Sequence, residues 1–559
     1  MKISGSLALI EALKRQGVKT IFGIPGGAIL PIYDALYDEK NIRHILMRHE
    51  QCAAHAADGY ARVKGEPGVC MATSGPGATN LVTGIATAYM DSSPLIAITG
   101  QVPTSFIGKD AFQEVDIIGI TTPITKYNYQ IRNVKDIPRI IKEAFYIAST
   151  GRPGPVLIDV PKDIQTDIDE VYFESEIKIR GYKPNVDPHP LQIKKAVDLL
   201  INAERPIILA GGGIHWSRAY DELLKLAELL MAPVATTFMG KGTIPENHPL
   251  CLGCIGMHGR IEANESIMMA DVVVAIGVRF SDRTTCKASD FCVNAKIIHI
   301  DIDASEIKKN ISIHLPIVAD AKKALKSIID EIIHRGLKKE NSEWLKRIEI
   351  LKKENTDTEP KGELTGMNAV KILRKVLPEN AIVTTEVGQN QMWASLYFKV
   401  IKPRTFISSG GLGTMGFGFP AALGAKVAKP EVPVVDIAGD GSFLMTEQDL
   451  ATSIVEDIPV IVMILNNSSL GMVVQWQRLF YNRRYSNTLL KNTPDFVKLA
   501  EAYGANGARV NSLNELEQVL KEAIKSDVTY VIDVPISSEE DVLPFVPPGK
   551  NLREFIFKR

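Results

Sequence analysis

Two short polar clusters close consecutive apolar runs in this chain. Gly439-Asp440-Gly441 follows one run and Asn466-Asn467 the next, with Asp440 and Asn467 27 positions apart. That interval is what a strand, a helix and a second strand require. The run 432–438 reads as a buried parallel strand, 447–456 as a crossover helix and 459–465 as the following strand. Asp440 and Asn467 then lie at carboxyl ends of strands in an open α/β sheet, where such sheets bind ligands. A hard cation such as Mg²⁺ takes oxygen ligands in octahedral geometry and usually shares them with a phosphate. Asp440, the Asn467 side-chain oxygen and a nearby backbone carbonyl would be the protein's share, so the pair points to a metal-chelated diphosphate. Asp-Gly and Asn-Asn each also make ordinary turns after strands. Their occurrence together at this interval is what points beyond a turn.

Gly-Asp-Gly followed at this interval by Asn-Asn resembles the diphosphate and Mg²⁺ motif of thiamine diphosphate enzymes. The resemblance implies Asp440, Asn467 and the main-chain oxygen of Ser469 as metal ligands, with Gly441 and Ser442 beside the cofactor. It also implies a catalytic glutamate on another domain. The stretch 48–62, Arg-His-Glu-Gln-Cys-Ala-Ala-His-Ala-Ala-Asp-Gly-Tyr-Ala-Arg, resembles the helix that carries it, which makes Glu50 that glutamate.

The elements that must position these residues belong to a long chain. Its 559 residues exceed what one core supports and suggest about three or four domains. A hydrophobic fraction of 45% and a charged fraction of 23% are those of a globular protein. With 64 Lys+Arg against 65 Asp+Glu the net charge is −1, so no basic field recruits nucleic acid or an anionic membrane. No apolar segment reaches the roughly 20 residues of a membrane span. Glu11 falls inside what would be a signal core, so the N-terminus reads as an amphipathic helix and the chain as cytoplasmic, or as a mature one. Six cysteines in so large a chain are no disulfide framework. Cys251 and Cys254 have the spacing of a zinc pair, but Cys286 and Cys292 do not complete it.

Two breaks divide the chain. Lys183-Pro-Asn-Val-Asp-Pro-His-Pro190 carries three prolines in eight residues and reads as a linker. A charge-dense helix with apolar Trp344, Leu345, Ile348 and Leu351 then loosens into the segment 354–362, a solvated stretch with no binding role. The resulting units are 1–168, 188–335 and 362–559. Each alternates helical patterns with short Val/Ile-rich strands: 69–73, 95–99 and 156–160; 206–210, 272–276 and 297–302; and the strands around Asp440. Alternation on this period means βαβ units, hence an α/β fold of three doubly wound parallel-sheet domains.

Further motifs narrow the resemblance. Gly23-Ile-Pro-Gly-Gly27 and Ser74-Gly-Pro-Gly77 read as strand-to-helix turns whose missing side chains let a ligand approach the backbone. The segments 22–31, 100–104, 110–114, 151–155 and 159–163 resemble the catalytic subunits of acetolactate (acetohydroxyacid) synthases, and the likeness runs from end to end. In the middle unit Gly211-Gly212-Gly213 lacks the spaced glycines of a dinucleotide fingerprint. Its company, Ile255-Gly-Met-His-Gly259, Gly277-Val-Arg-Phe-Ser-Asp-Arg283 and His299-Ile-Asp-Ile-Asp303, resembles the FAD-binding segments of that family, whereas catabolic relatives without flavin lack the Gly-Val-Arg-Phe-x-Asp-Arg signature. The resemblance therefore implies a structural FAD held by Arg152, Gly211, Gly212, Gly213, Thr237 and Phe238, then by Gly256, Met257, His258, Gly277, Arg279, Asp282, Asp301, Ile302 and Asp320. His258 has the alternative of a core histidine. In the last unit Gly388-Gln389-Asn390 and Gly410-Gly-Leu-Gly-Thr-Met-Gly416 are implied to hold the diphosphate and the thiazolium ring, through Gln389, Asn390, Gly413 and Met415, with Met415 imposing the cofactor's bend. Many relatives have histidine where this chain has Asn390. Met472 is implied to lie near the aminopyrimidine, and Trp476 to line the second-substrate pocket, although Trp476 also reads as plain core.

The implied reaction decarboxylates pyruvate and joins the hydroxyethyl group to a second pyruvate, giving acetolactate, or to 2-ketobutyrate, giving acetohydroxybutyrate, at the first common step of branched-chain amino acid biosynthesis. Glu50 would share a proton with the pyrimidine and Arg283 would pair the second acid's carboxylate, with Gln113, Lys162, Phe112, Gly27 and Met257 completing the site. In relatives the two half-sites come from different subunits, so the resemblance implies a homodimer or homotetramer, together with a small regulatory subunit. The nearest rival is a pyruvate oxidase or simple decarboxylase; a non-catalytic flavin-binding homologue is the remoter one.

Overall fold

The computed structural model describes residues 1–173, 177, 179–355 and 359–557. The expected loosening at 354–362 falls partly outside them. Its frame is three six-stranded sheets in which every neighbouring pair is parallel. The first sheet runs, edge to edge, Arg43–Leu46, Thr20–Gly23, Gly68–Ala72, Leu95–Gln101, Val156–Pro161 and Tyr127–Gln130. In chain order its strands stand second, first, third, fourth, sixth, fifth. The third sheet repeats that order with Phe406–Ser408, Ile382–Thr385, Val434–Gly439, Ile461–Asn466, Tyr530–Pro535 and Asn506–Arg509. The middle sheet differs: Cys251–Cys254, Val234–Thr236, Pro206–Ala210, Val272–Ile276, Lys296–Asp301 and Leu315–Val318 stand third, second, first, fourth, fifth, sixth. That is the order of dinucleotide-binding sheets, whose ligand crevice opens between the first and fourth strands.

The strands form where both faces are buried. Val434–Gly439 and Ile461–Asn466 are apolar runs with only their last residues half exposed, the pattern of central parallel strands covered by helices on each side. The crossover expected over 447–456 is shorter than its pattern suggested. A brief α-helix at Asp440–Phe443 precedes it; within the expected range Glu447–Asp449 is a 3₁₀ turn and Leu450–Val455 is α-helical. The N-terminal helix begins at Gly5, because Ser4 caps it by accepting the Leu7 N–H while Lys2–Ser4 pairs antiparallel with Ile168–Glu170. Between the first and middle sheets no helix or strand is present among the described residues from 171 until Pro190, as the prolines require. No helix among the described residues is long and apolar enough to cross a membrane.

The first and third sheets meet through two small-residue helices, Glu50–Lys64 and Gly418–Ala428. A Cβ on Gly59 would lie 2.3 Å from the Ala421 carbonyl oxygen, and one on Gly424 1.8 Å from that of Ala56. Backbones thus touch directly, and the alanine-rich helix that carries Glu50 is buried along most of its length.

Candidate active site

A cavity of about 560 Å³ opens at the carboxyl edge of the third sheet. Gln389, Asn390, Gly413, Met415, Asp440 and Gly441 line one part of it, and Ser442, Asn467, Ser469, Met472 and Trp476 another. Asp440 is buried, and its Oδ2 has no hydrogen-bond partner among the described residues. Burial pushes its carboxyl up to about 6, against the pull of the backbone N–H groups of residues 440, 441, 467 and 469. Beside it Asn467 donates to Gln389 Oε1 at 2.9 Å and accepts the Ser469 hydroxyl at 2.9 Å. Gln389 is itself fixed, since its Nε2 donates to Gln475 Oε1 and to the Glu540 carbonyl. Two helices, Gln389–Tyr397 and Gly471–Phe480, begin at this cavity with no side-chain cap, so their first N–H groups face it. An unpartnered carboxylate oxygen next to two uncapped helix starts is an arrangement that accepts a divalent cation and an anionic phosphate chain together. Asn390 also lines the cavity, with its Nδ2 held by a bond to the Ile437 carbonyl at 2.7 Å.

The far wall of the same cavity comes from the middle domain: Met257, His258, Asp282 and Arg283. The Arg283 guanidinium stands 5.6 Å from the Trp476 ring centre, and its Nη1 donates to Met257 Sδ. Its ion pair with Asp282 is long, 3.8 Å, and half the side chain is exposed, so the guanidinium keeps donors for a carboxylate ligand. The expectation that Gly256, Met257 and His258 face a flavin divides here. Gly256 turns the chain at φ +117°, the Met257 N–H donates to the Arg283 carbonyl, and Met257 and His258 are delivered to the wall of the Asp440 cavity. Burial holds His258 down to about 3, hence neutral, with its ring against Phe545.

A second cavity, about 620 Å³, opens at the middle sheet's switch point. Gly212 and Gly213 follow the first strand and Gly277 the fourth; a Cβ on Gly211, just behind the wall, would lie 2.1 Å from the Gly277 carbonyl oxygen. Only glycines let the two strand ends close to that distance and leave the crevice beside them. Arg152, Thr237, Phe238, Arg279, Asp301 and Ile302 line this cavity, and Asp320 closes it. Burial raises the Asp301 carboxyl to about 7. Phe238, Asp282 and Arg283 line both cavities.

Glu50, Gly27, Phe112, Gln113 and Lys162 line neither cavity. They gather at the carboxyl edge of the first sheet. Glu50 Oε2 accepts Asn80 Nδ2 at 2.9 Å, and a Cβ on Gly77 would lie 3.3 Å from Oε1. Thr73 at the end of its strand accepts the Ala28 N–H next to Gly27, and Gly75 backs onto Gln113, which is held at φ +61°. Lys162 starts the helix after Val156–Pro161, and Phe112 is 88% exposed. From Glu50 to Arg62, whose Nη1 bonds the Ser408 carbonyl near the Asp440 cavity, the helix runs twelve residues, about 18 Å at 1.5 Å per residue.

Models of the thiamine pyrophosphate enzyme family match in three pieces: the N-terminal TPP-binding domain over residues 3–120, the central domain over 193–328 and the C-terminal TPP-binding domain over 386–534. The chain is 54% identical to a probable acetolactate synthase large subunit of Methanocaldococcus jannaschii, over 99% of this chain and 95% of that protein. It is 44% identical to the acetolactate synthase isozyme 3 large subunit of Escherichia coli, over 99% and 98%, and 46% identical to an acetolactate synthase of Mycobacterium bovis, over 98% and 91%. The chain belongs to the acetolactate synthase large-subunit family.

Within this acetolactate synthase fold lie groups that the sequence reading passed over. Glu386 is fully buried beneath the Met415 turn, where it accepts the Gly416 and Phe419 N–H groups and the Ser442 hydroxyl. Burial raises its carboxyl, and burial together with Glu386 raises that of neighbouring Asp436. Gln475 orients Gln389. No motif marks these residues; a carboxylate inside the run Ile-Val-Thr-Thr-Glu-Val is the only sequence signal.

Proposed function

We propose that the protein is the catalytic subunit of an acetolactate synthase that works with thiamine diphosphate, Mg²⁺ and FAD. The observation that carries this reading is Asp440, a buried carboxylate with one oxygen unpartnered, at the carboxyl end of a strand beside two uncapped helix starts. Asp440, Asn467 and the main-chain oxygen of Ser469 would hold Mg²⁺, while Gln389, Asn390, Gly441 and Ser442 would hold the diphosphate. Gly413, Met415 and Met472 would border the two rings. When bound, thiamine diphosphate supplies the electron sink that lets pyruvate lose CO₂ and its two-carbon remainder join a second 2-keto acid. Glu50 holds and moves a proton at the pyrimidine nitrogen, the work of a positioned general acid–base group. Arg283 pairs the carboxylate of the second acid through its planar fork, and Trp476 packs against that acid's alkyl end. The product is acetolactate from pyruvate and acetohydroxybutyrate from 2-ketobutyrate, the entry to branched-chain amino acids.

FAD would take the 620 Å³ cavity, in the crevice where a sheet of this strand order binds dinucleotides. Its role is structural, since pyruvate chemistry at the other cavity needs no net redox change. Two copies of the chain are needed for one site. Glu50 is absent from the lining of its own chain's Asp440 cavity and lies about 18 Å along the helix from the end nearest it. Both half-sites also expose apolar side chains that a second copy would cover: Leu30, Phe106 and Phe112 at one, Leu412, Val473 and Phe480 at the other. The designation of the relatives as large subunits supports a small regulatory partner. The test is acetolactate formation from pyruvate under nitrogen with each cofactor omitted in turn. Product that requires thiamine diphosphate and Mg²⁺, with the flavin staying oxidised, is the expected result. Flavin reduction by pyruvate without acetolactate would make the protein a pyruvate oxidase.

A further inference from the structure

Gly410 and Gly411 form a two-residue strip that walls both cavities, so one short piece of the third domain touches the flavin crevice on one side and the diphosphate site on the other. The first domain grips that strip through Asp91. Asp91 Oδ1 accepts the Gly411 N–H at 2.6 Å and Oδ2 the Gly410 N–H at 3.2 Å. The same carboxylate accepts Arg62 Nη2 at 2.9 Å. Arg62 makes paired bonds to Asp58 at 2.8 and 2.7 Å and a bond from Nη1 to the Ser408 carbonyl at 2.7 Å. All three charged side chains are buried. In such a setting each ionic bond is held because losing it would leave a charge unpaired away from water.

The strip is closely packed on both sides. A Cβ on Gly411 would lie 2.7 Å from the Met90 carbonyl oxygen and 2.8 Å from Asp91 Oδ1, and one on Gly410 2.4 Å from Met239 Sδ. Neighbours from the first and middle domains thus pack directly against it. On the flavin side, residues 89–92 line the crevice, and Arg279, itself in the crevice, donates to the Met90 carbonyl. On the other side the strip continues into Leu412, Gly413 and Met415, with the Thr414 and Thr87 hydroxyls bonded at 2.7 Å.

We propose that Asp91 is a positioning residue through which occupancy of the flavin crevice fixes the Gly410-Gly411 strip, so that FAD and thiamine diphosphate with Mg²⁺ bind cooperatively. The inference rests on the flavin reading above and adds to it the route by which a cofactor with no redox step affects the other site. A ligand that orders a wall shared with a second site lowers what the second ligand must order, and the linkage is reciprocal.

The experiment titrates FAD into the full-length apoprotein, followed by flavin fluorescence, with and without saturating thiamine diphosphate and Mg²⁺. In the wild type the FAD dissociation constant falls about 5-fold or more when the second cofactor is present. Asp91→Asn, which keeps the shape but loses the charge facing Arg62, still binds FAD and shows a ratio near one. A wild-type ratio of one, or the same ratio in both proteins, overturns the coupling and leaves the flavin reading standing; absence of FAD binding to the wild type overturns both. Amide hydrogen exchange on the wild type decides the matter even where the variant fails to fold: FAD slows exchange at Gly410 and Gly411. Equal exchange with and without FAD makes Asp91 a purely structural residue.

Discussion

The first and third sheets have one strand order and opposite chemistry at their carboxyl edges. After the third strand of each, the first sheet places Thr73-Ser74-Gly75 and the third sheet Asp440; after the fourth, the first places Val102-Pro103 and the third Asn467-Ser468. One edge has oxygens for a cation at both strand ends. The other has hydroxyls but no carboxylate or carboxamide at those two positions, and carries Glu50 at the start of the helix that leads into the third strand. Topology alone therefore does not say which half of a site a sheet will hold; the residues grafted on its edge do. The middle sheet, with a different order, opens its crevice at the switch point between Gly211 and Gly277 instead.

Glu50→Gln is the sharpest probe of that difference. It removes the proposed proton carrier of the first edge while leaving the proposed cation ligands of the third in place. Turnover to acetolactate falls by about 10²-fold or more with Mg²⁺ affinity unchanged. Turnover within a few-fold of wild type would show the two edges are not divided in this way. Asp440→Ala breaks the other side. Calorimetry should find thiamine diphosphate and Mg²⁺ affinity lowered together, by about 10- to 100-fold, with FAD affinity kept when FAD is titrated alone, because in the proposed site the ion and the diphosphate share ligands. Unchanged affinity for either would reduce Asp440 to a turn residue.

A third prediction concerns the wall where the middle and third domains meet. Trp476→Leu leaves acetolactate formation from pyruvate largely intact and lowers the preference for 2-ketobutyrate about 10-fold, as one methylene in an apolar pocket allows. A competition assay with both acids reads the ratio, and an unchanged ratio would move Trp476 out of the pocket.

The smallest effect is in pH. Burial raises Asp440 in the folded apoprotein to about 6 from 3.8, so between those values the folded chain holds a proton that the unfolded chain has released. Its contribution to apoprotein stability is therefore present at low pH and lost as pH rises through about 6. Mg²⁺ has the opposite dependence, since it competes with that proton, and its affinity should fall towards tenfold per unit as pH drops below about 6. Titrations of Mg²⁺ on either side of that value check the sign. A flat profile across it would mean the carboxylate is already ionised without metal.

Strand positions in the middle domain and much of the third domain's edge were legible in the sequence. Pro206–Ala210 and Val272–Ile276 fall where the apolar runs put them, and the 27-residue interval does place Asp440 and Asn467 at the ends of adjacent strands. Local patterns are readable because burial on both faces demands unbroken apolar runs and strand ends demand small or polar residues. The crossover helix expected over 447–456 was overestimated at its start, where Glu447–Asp449 winds as a 3₁₀ turn before Leu450–Val455. Packing alone reveals that His258 lines the Asp440 cavity, that Arg283 stands over Trp476, that Glu386 lies beneath Met415, and that Asp91 holds Gly410 and Gly411. Each of these joins residues from about 30 to 320 positions apart, and such contacts are set by how sheets and helices pack, a quantity that no local window of sequence contains.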